Sequence, residues 1–380
     1  MMRCLRSVLT AIMFLAFLSA SAQGLQRGVW TPEQANKWYA STPWLVGANF
    51  LPSTAINQLE MWQAASFDTT TISRELKWAR SIGMNTMRVF LHDLAYQQDP
   101  AGFKKRVDIF LRIAARYNIR PMFVLFDSCW DPFPHTGKQQ QPAPFLHNSG
   151  WVQGPGADAL KDSTQYPRLK KYVTDIVGHF GKDKRVIAWD VWNEPDNTNT
   201  SSYGRWEPYD KTALVHNLLE KTFQWTRMAN PAQPITAGIW NGNWIADDSL
   251  RPLEKMMIEQ SDVISFHNYD KADEFEKRIK WLQRYNKPLL CTEYMSRGNG
   301  STFEGSSPVA KKYKVAAYNW GLVSGKSQTI YPWDSWQKKY TTAPELWFHD
   351  VFNTDGTPYK KEETDLLKEL TSGSTGVRPN

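Results

Sequence analysis

The stretch VIAWDVWNEP, residues 186–195, decides how the rest of the chain is interpreted. Its first part, Val186 to Trp192, is a short and mainly apolar run with the composition of a buried β-strand. The polar residues Asn193 and Glu194 follow directly, and Pro195 fixes the turn that leaves the strand. In α/β proteins, polar groups just beyond the carboxyl end of a buried strand are where sites are built. This stretch therefore predicts both a strand and a site.

Seven other short apolar runs resemble this one, and most are followed by a loop and a segment with helical periodicity. Eight strand-then-helix units in about 330 residues, with no linker between them, predict an α/β fold of the (β/α)8 TIM barrel type over residues 44–372. A doubly wound sheet is the alternative, but the glycine-rich fingerprint that usually follows its first strand is missing. The predicted strands are Trp44–Phe50, Thr86–Phe90, Pro121–Phe126, Val186–Trp192, Ile235–Ile239, Val263–Phe266, Leu289–Thr292 and Gln328–Tyr331.

The two ends of the chain are predicted to lie outside the barrel. Arg3 and Arg6 precede a short apolar run, and the small residues Ala20-Ser21-Ala22 fit a cleavage site, so residues 1–22 are predicted to be a signal peptide. The run is too short to span a bilayer. We expect a secreted or periplasmic protein with no membrane attachment after cleavage. Residues 23–43 form a lead-in, and residues 373–380 form a flexible tail rich in serine and glycine.

The composition excludes some classes of function. The formal charge of +7 is spread along the chain without a basic run, so no nucleic-acid partner is expected. Cys129 and Cys291 are the cysteines left after cleavage, and their positions at predicted strands favour buried free thiols. Eighteen tryptophans, many in predicted loops, suit the binding of the apolar faces of sugar rings.

Polar residues cluster at the predicted carboxyl ends of the strands, which converge on one mouth of a barrel. Two of the carboxylates among them, Glu194 and Glu293, stand at the ends of the fourth and seventh predicted strands, which lie across the barrel from each other. Hydrolysis of a glycosidic bond needs such a pair, one carboxyl protonated and one ionised. The full set is Asn49, Arg88, Asp127, Asn193, Glu194, Asn241, His267, Tyr269, Glu293 and Trp333.

These motifs resemble those of glycoside hydrolase clan A, which includes the family 5 cellulases and mannanases. VIAWDVWNEP at 186–195 resembles the strand-4 motif that carries the acid/base. SFHNYD at 265–270 resembles the strand-6 His-x-Tyr element, and CTEYM at 291–295 resembles the segment of the nucleophile. The resemblance covers the chain from about Trp44 to Leu370.

The resemblance implies a retaining β-glycosidase acting on a polysaccharide or oligosaccharide of the β-1,4-glucan, mannan or xylan type. Glu194 would be the acid/base and Glu293 the nucleophile of a two-step mechanism. Asn193 would hydrogen-bond the sugar 2-hydroxyl. Tyr269 would donate to Glu293, and Arg88 would add positive charge beside it.

Three further residues, His267, Trp333 and Asp127, are predicted to belong to the site. His267 would contact the sugar or the acid/base, but a hydrogen-bonded core position is also open. Trp333 would be the platform for the sugar being cleaved. Asp127 stands where family 5 enzymes commonly have histidine, and a long aperiodic loop, residues 127–166, follows it. Further aromatic residues predicted in mouth loops are Trp130, Trp151, Tyr203, Trp206, Trp244 and Trp336.

No cofactor and no metal are expected, because the chemistry needs neither and no metal-ligand spacing such as HxH or HExxH occurs. A monomer is expected. Two alternative functions remain at this point. A transglycosylase could use the same two glutamates, and a carbohydrate-binding barrel could have lost catalysis. Retention of both Glu194 and Glu293 argues against the second alternative.

Overall fold

A computed structural model describes residues 27–372, so the predicted signal peptide and the tail from residue 373 lie outside the described residues. Strands and helices alternate along the chain. The strands are β1 Val46–Asn49, β2 Thr86–Phe90, β3 Arg120–Val124, β4 Ala188–Asp190, β5 Ile235–Thr236, β6 Ile264–His267, β7 Leu289–Tyr294 and β8 Ala316–Trp320. The helices are α1 Pro32–Ala40, α2 Gln58–Trp62, α3 Thr69–Ser81, α4 Asp93–Gln98, α5 Pro100–Arg116, α6 Ala157–Lys161, α7 Tyr166–Phe180, α8 Lys211–Met228, α9 Pro252–Gln260, α10 Ala272–Leu282, α11 Phe303–Lys312 and α12 Lys361–Thr371.

The eight strands form one parallel sheet in the order β5-β4-β3-β2-β1-β8-β7-β6. The first strand pairs with both β2 and β8, which brings the two ends of the barrel sequence together. Between β5 and β6 the ring closes through a single parallel bridge from Ile239 to Phe266. The predicted (β/α)8 barrel is confirmed, with its weakest seam beside the short strand β5.

The predicted eighth strand was wrong. Gln328–Tyr331 lies in the loop that follows the true β8, and Gln328 has a left-handed φ of 55°, which interrupts an extended run. The actual strand, AAYNW, is fully buried between β7 and β1. Its alanines have a weaker strand composition than QTIY, but small side chains suit a strand that is packed on both faces.

The outer helices bury the apolar faces that their periodicity predicts. In α5 the buried residues include Phe103, Val107 and Phe110, and α7 buries Leu169 and Val173 in the same way. These helices cover the outer surface of the strands, as in other barrels of this type. Within residues 27–372 no helix has the length and apolar character needed to cross a bilayer.

Helix α1 closes the bottom of the barrel, the end opposite the mouth. Thr31 caps this helix in a capping box with Gln34, and Pro32 occupies its first turn. Its buried residues Ala35 and Tyr39 pack against residues of the strands at that end, among them Leu45 in the segment that enters β1. Helix α1 therefore covers this end of the barrel.

Candidate active site

A cleft of about 580 Å³ lies over the carboxyl ends of the strands. The loops after β3, β4, β5, β6 and β8 supply its walls, and β7 supplies Glu293. Seven of the predicted site residues line it: Asn193, Glu194, Asn241, His267, Tyr269, Glu293 and Trp333. Arg88 and Asp127 do not line it, because both are buried behind its floor.

The two predicted carboxylates face each other in this cleft. An oxygen of Glu194 and an oxygen of Glu293 lie within 4.8 Å of each other, with a ring nitrogen of His267 in the same group. The Nδ1 atom of His267 is 2.9 Å from Oε1 of Glu194 and 3.6 Å from Oε2 of Glu293. Burial lowers the pKa of His267 to about 4, so its ring is neutral near pH 7 and adds no charge between the carboxyls.

Glu293 is held by two hydrogen-bond donors. Nη1 of Arg88 donates to Oε1 at 3.0 Å, and the Tyr269 hydroxyl donates to Oε2 at 2.8 Å. The pairing of β7 with both neighbours shifts register close to this residue, between Phe266 and His267 on one side. Such irregularities re-aim side chains at barrel rims. Both oxygens of Glu293 thus accept hydrogen bonds, which favours the ionised form.

Glu194 has a different environment. Its backbone has a left-handed φ of 41°, an uncommon conformation for a residue with a side chain, at the turn that leaves β4. Nδ2 of Asn197 donates to Oε2 at 2.7 Å, and the Cys129 thiol lies 3.2 Å from the same oxygen. These neighbours are uncharged. Neither Asn197 nor Cys129 was predicted to belong to the site.

Burial raises the pKa of both carboxyl groups. Two carboxyls this close cannot both ionise easily, so one of them keeps a proton at a higher pH than usual. The guanidinium of Arg88 contacts Glu293 directly, whereas Glu194 accepts from the neutral side chains of Asn197 and Cys129. The arrangement favours the proton on Glu194 and the negative charge on Glu293.

Arg88 organises the floor of the cleft, and its most extensive partner is a residue that the sequence reasoning missed. Nε and Nη2 both donate to Oδ2 of Asp190, at 3.0 and 2.8 Å, and both side chains are fully buried. Nη1 also reaches Asn49, and Nη2 reaches Asn193. A charged residue inside the apolar run of β4 was the available signal for Asp190, because a buried charge needs a partner.

Asp127 acts on Asn193 from behind the cleft. Its Oδ1 accepts from Nδ2 of Asn193 at 2.9 Å and from the backbone of Cys129 at 3.0 Å. Its Oδ2 accepts from Trp151 at 2.6 Å and from Gln58 at 3.1 Å. With four donors filling its oxygens, Asp127 fixes the side-chain amide of Asn193.

The aromatic residues of the mouth divide into three groups. Trp130 and Trp333 line the cleft as predicted, together with Trp240 and Trp320, which were not predicted. Trp151 and Trp244 are buried packing residues instead. The remaining predicted aromatics do not line the cleft: they are Tyr203, Trp206 and Trp336. Trp320 was missed because the eighth strand was misplaced.

Asn241 and Asn49 also have defined positions. Asn241 lines the cleft, where it is exposed, whereas Asn49 is buried and donates to the backbone oxygen of Thr292 at 2.8 Å. Both predicted thiols, Cys129 and Cys291, are buried and free.

Among the described residues, the spacing of Glu194, His267 and Glu293 would allow a metal ion to be held. The donor set does not favour one. Arg88 places a permanent positive charge 3.0 Å from Glu293, and the two carboxylates already accept hydrogen bonds on all four oxygens if Nδ1 of His267 carries its proton.

Comparison with known proteins identifies the protein family. The model of the cellulase family, glycosyl hydrolase family 5, matches residues 79–339, which is more than half of the chain. The chain therefore belongs to glycosyl hydrolase family 5, and it is a glycoside hydrolase. No curated protein matched the sequence.

Several solved structures share the fold at low sequence identity. One is a GH5_18 protein from Streptomyces cattleya in complex with Manb1-4GlcNAc, with a TM-score of 0.60, 12% identity and coverage of 89% of this chain and 82% of that one. The exo-beta-1,4-mannosidase Op5Man5 from Opitutaceae bacterium strain TAV5 has a TM-score of 0.57, 18% identity and coverage of 88% and 61%. The endo-beta-1,4-mannanase from Thermotoga petrophila has a TM-score of 0.56, 13% identity and coverage of 89% and 78%.

Proposed function

We propose that this protein is a retaining β-glycosidase that cleaves β-1,4-linked chains by a two-step mechanism. The observation that carries the proposal is the pair Glu194 and Glu293, with oxygens within 4.8 Å of each other. Retaining enzymes hold their carboxyls about 5–5.5 Å apart, whereas inverting enzymes need about 6.5–9.5 Å to admit a water. The short separation supports direct attack by a carboxylate.

In the first step, the ionised carboxylate of Glu293 attacks the anomeric carbon while the carboxyl proton of Glu194 moves to the glycosidic oxygen. The bond between that oxygen and the anomeric carbon breaks, and the shortened chain leaves with a new hydroxyl. In the second step, Glu194 removes a proton from water, whose oxygen attacks the same carbon and releases Glu293. Asn193, fixed by Asp127, hydrogen-bonds the 2-hydroxyl.

The sugar is proposed from three candidates: mannose, glucose and xylose in β-1,4 linkage. Mannosides are the first to test, because the similar structures named above include a mannosidase and a mannanase. Export from the cytoplasm, directed by residues 1–22, is part of the proposal, because polymeric β-1,4-glycans are met outside the cell membrane.

The test uses 4-nitrophenyl β-glycosides of the three sugars and the variant Glu293→Ala. We expect hydrolysis by the parent protein and a loss of at least about 10³-fold in the variant, because the nucleophile is gone. The control is Glu259→Ala, an exposed glutamate of α9. Proton NMR of the first-formed sugar should show the β anomer. Equal activity of Glu293→Ala and parent would overturn the proposed mechanism, and an initial α anomer would overturn retention.

A further inference from the structure

The cleft is walled on one side by contacts between two loops that are far apart in sequence. Trp130, from the loop after β3, stacks on Trp336, from the loop after β8, with ring centroids 5.5 Å apart and planes 22° apart. Nε1 of Trp336 donates to the backbone oxygen of His147 at 2.8 Å, and the backbone of His147 donates to Ser335 at 3.1 Å. These contacts join the two loops on the side of the mouth formed by β1, β2 and β3.

The loop after β4 completes this barrier. Tyr203 packs edge-on against Trp336 at 5.2 Å, and Gln337 donates to the backbone oxygen of Ser201 at 2.5 Å. The backbone of Trp130 also donates to Asn199 at 2.7 Å. We call these joined segments of the three loops, residues 130, 147, 199–203 and 335–337, the wall.

The opposite side of the cleft is lined by residues from the segments after β5 and β6, among them Trp240, Asn241, Asp270 and Arg278. Asn241 and Asp270 are exposed at this edge, where Asp270 accepts from Nδ2 of Asn268 at 3.0 Å and forms a 3.6 Å ion pair with Arg278. Arg278 joins these two segments, because it lies 4.4 Å over the Trp244 ring and donates to the backbone oxygen of Gly242 at 3.3 Å, but within the described residues no stacked pair of aromatic rings links them. The cleft therefore opens toward β5 and β6.

The orientation of a substrate follows from Asn193. This residue is linked to Asp127 after β3 and to Arg88 on β2, so its amide lies toward the walled side. Since Asn193 contacts the 2-hydroxyl of the sugar that Glu293 attacks, that sugar lies between the carboxylates and the wall. The leaving part of the chain then extends past Glu194 toward the open side at Trp240.

We propose that the wall limits the enzyme to the terminal sugar at the non-reducing end of its substrate. This proposal rests on the proposed function and specifies its mode of action. A chain that continued beyond the attacked sugar would have to pass through the Trp130–Trp336 stack. A chain that ends there fits, and its remainder leaves through the open side. Trp240 is then positioned to contact the leaving portion.

The test follows the products from β-1,4-linked hexasaccharides of mannose, glucose and xylose that carry a fluorescent label at the reducing end. We expect labelled products shortened one sugar at a time, with free monosaccharide appearing from the start. Early labelled products of two or three sugars without monosaccharide would overturn the proposal. Hydrolysis of 4-nitrophenyl monoglycosides reports on the proposed function independently, since it needs no space beyond one sugar. If neither the monoglycosides nor any hexasaccharide is hydrolysed, the proposed function fails and this proposal fails with it.

A variant that opens the wall gives a second readout. Trp336→Ala combined with Gln337→Ala removes the contacts that join the loop after β8 to Trp130 and to the loop after β4. We expect release of di- and trisaccharides in addition to monosaccharide, with aryl glycoside hydrolysis retained. Trp38→Ala, in α1 at the bottom of the barrel, is the control for loss of a tryptophan and should keep the one-sugar pattern. A one-sugar pattern in the folded double variant would show that the wall does not set the cleavage mode.

Discussion

The hydroxyl of Tyr269 lies 2.8 Å from Oε2 of Glu293 and donates to it. The other oxygen of this carboxylate is taken by Arg88 at 3.0 Å. The two donors differ in kind, because Arg88 brings a charge and Tyr269 brings only a hydrogen bond. Removing the tyrosine hydroxyl therefore tests how far hydrogen bonding alone keeps the nucleophile ionised against the effect of burial.

For Tyr269→Phe we expect the acidic limb of the pH profile of kcat/KM to move to higher pH by about one to two units, from the loss of a hydrogen bond to a charged group. The sign follows because the lost bond stabilised the ionised form, so the pKa of Glu293 rises. Tyr294→Phe on the same strand is the control, since its hydroxyl pairs with Ser307 instead. An unshifted acidic limb in Tyr269→Phe would contradict this role.

For Glu194→Gln we expect a loss of about 10²–10⁴-fold in kcat/KM on substrates with sugar leaving groups, the usual contribution of a general acid. Glycosides of strongly acidic phenols should lose much less in the first step, because such leaving groups need no proton. The measurement is kcat/KM for a series of aryl glycosides with leaving groups of different pKa. A uniform loss across the series would mean that Glu194 does not act as the acid.

For Asp190→Asn we expect a loss of about 3–5 kcal/mol in the free energy of unfolding, because Arg88 would be left buried without its main partner. Urea denaturation of the purified protein measures this. Glu259→Gln is the matched carboxyl-to-amide control. Its side chain is exposed and its nearest cation, Lys255, is 3.9 Å away, so a change below about 1 kcal/mol is expected. Equal stabilities of Asp190→Asn and the parent would show that the Arg88–Asp190 pair is not needed for folding.

For Asp127→Asn we expect a loss of stability of about 1–3 kcal/mol, because one oxygen becomes an amino group that faces donors. We also expect a lower kcat/KM, since Asn193 is no longer fixed. Comparison with a 2-deoxy glycoside separates the two effects. In the parent, removal of the 2-hydroxyl should lower kcat/KM strongly. In Asp127→Asn the same removal should lower kcat/KM less. An equal reduction in kcat/KM in the parent and in Asp127→Asn would limit Asp127 to a purely structural role.

Much of the fold could be predicted because each strand except the last has a distinctive apolar run that is bounded by turns. The failure at β8 has a physical cause. AAYNW is poor in β-branched residues, and its burial depends on neighbours β7 and β1, which sequence composition does not reveal. QTIY had the better composition, but no strand pairs with it.

The site was predictable where the chemistry depends on residues adjacent to strand ends, as with Glu194, Glu293 and Tyr269. It was not predictable where side chains from different loops meet in space. Cys129 and Asn197 reach the same oxygen of Glu194 from loops after β3 and β4. Trp240 gave only a weak signal, as one aromatic among many in the loops. Asp190 does carry a signal in the sequence, a charged residue inside a buried apolar strand.

The wall has a consequence for the order of events during turnover. A pocket that is closed at one end has a single entrance, so the shortened chain must depart before the monosaccharide can follow it. The enzyme then cannot slide along its polymer, and each sugar removed requires a new encounter. Free monosaccharide should compete with substrate for the closed end, so accumulating product slows the enzyme that made it.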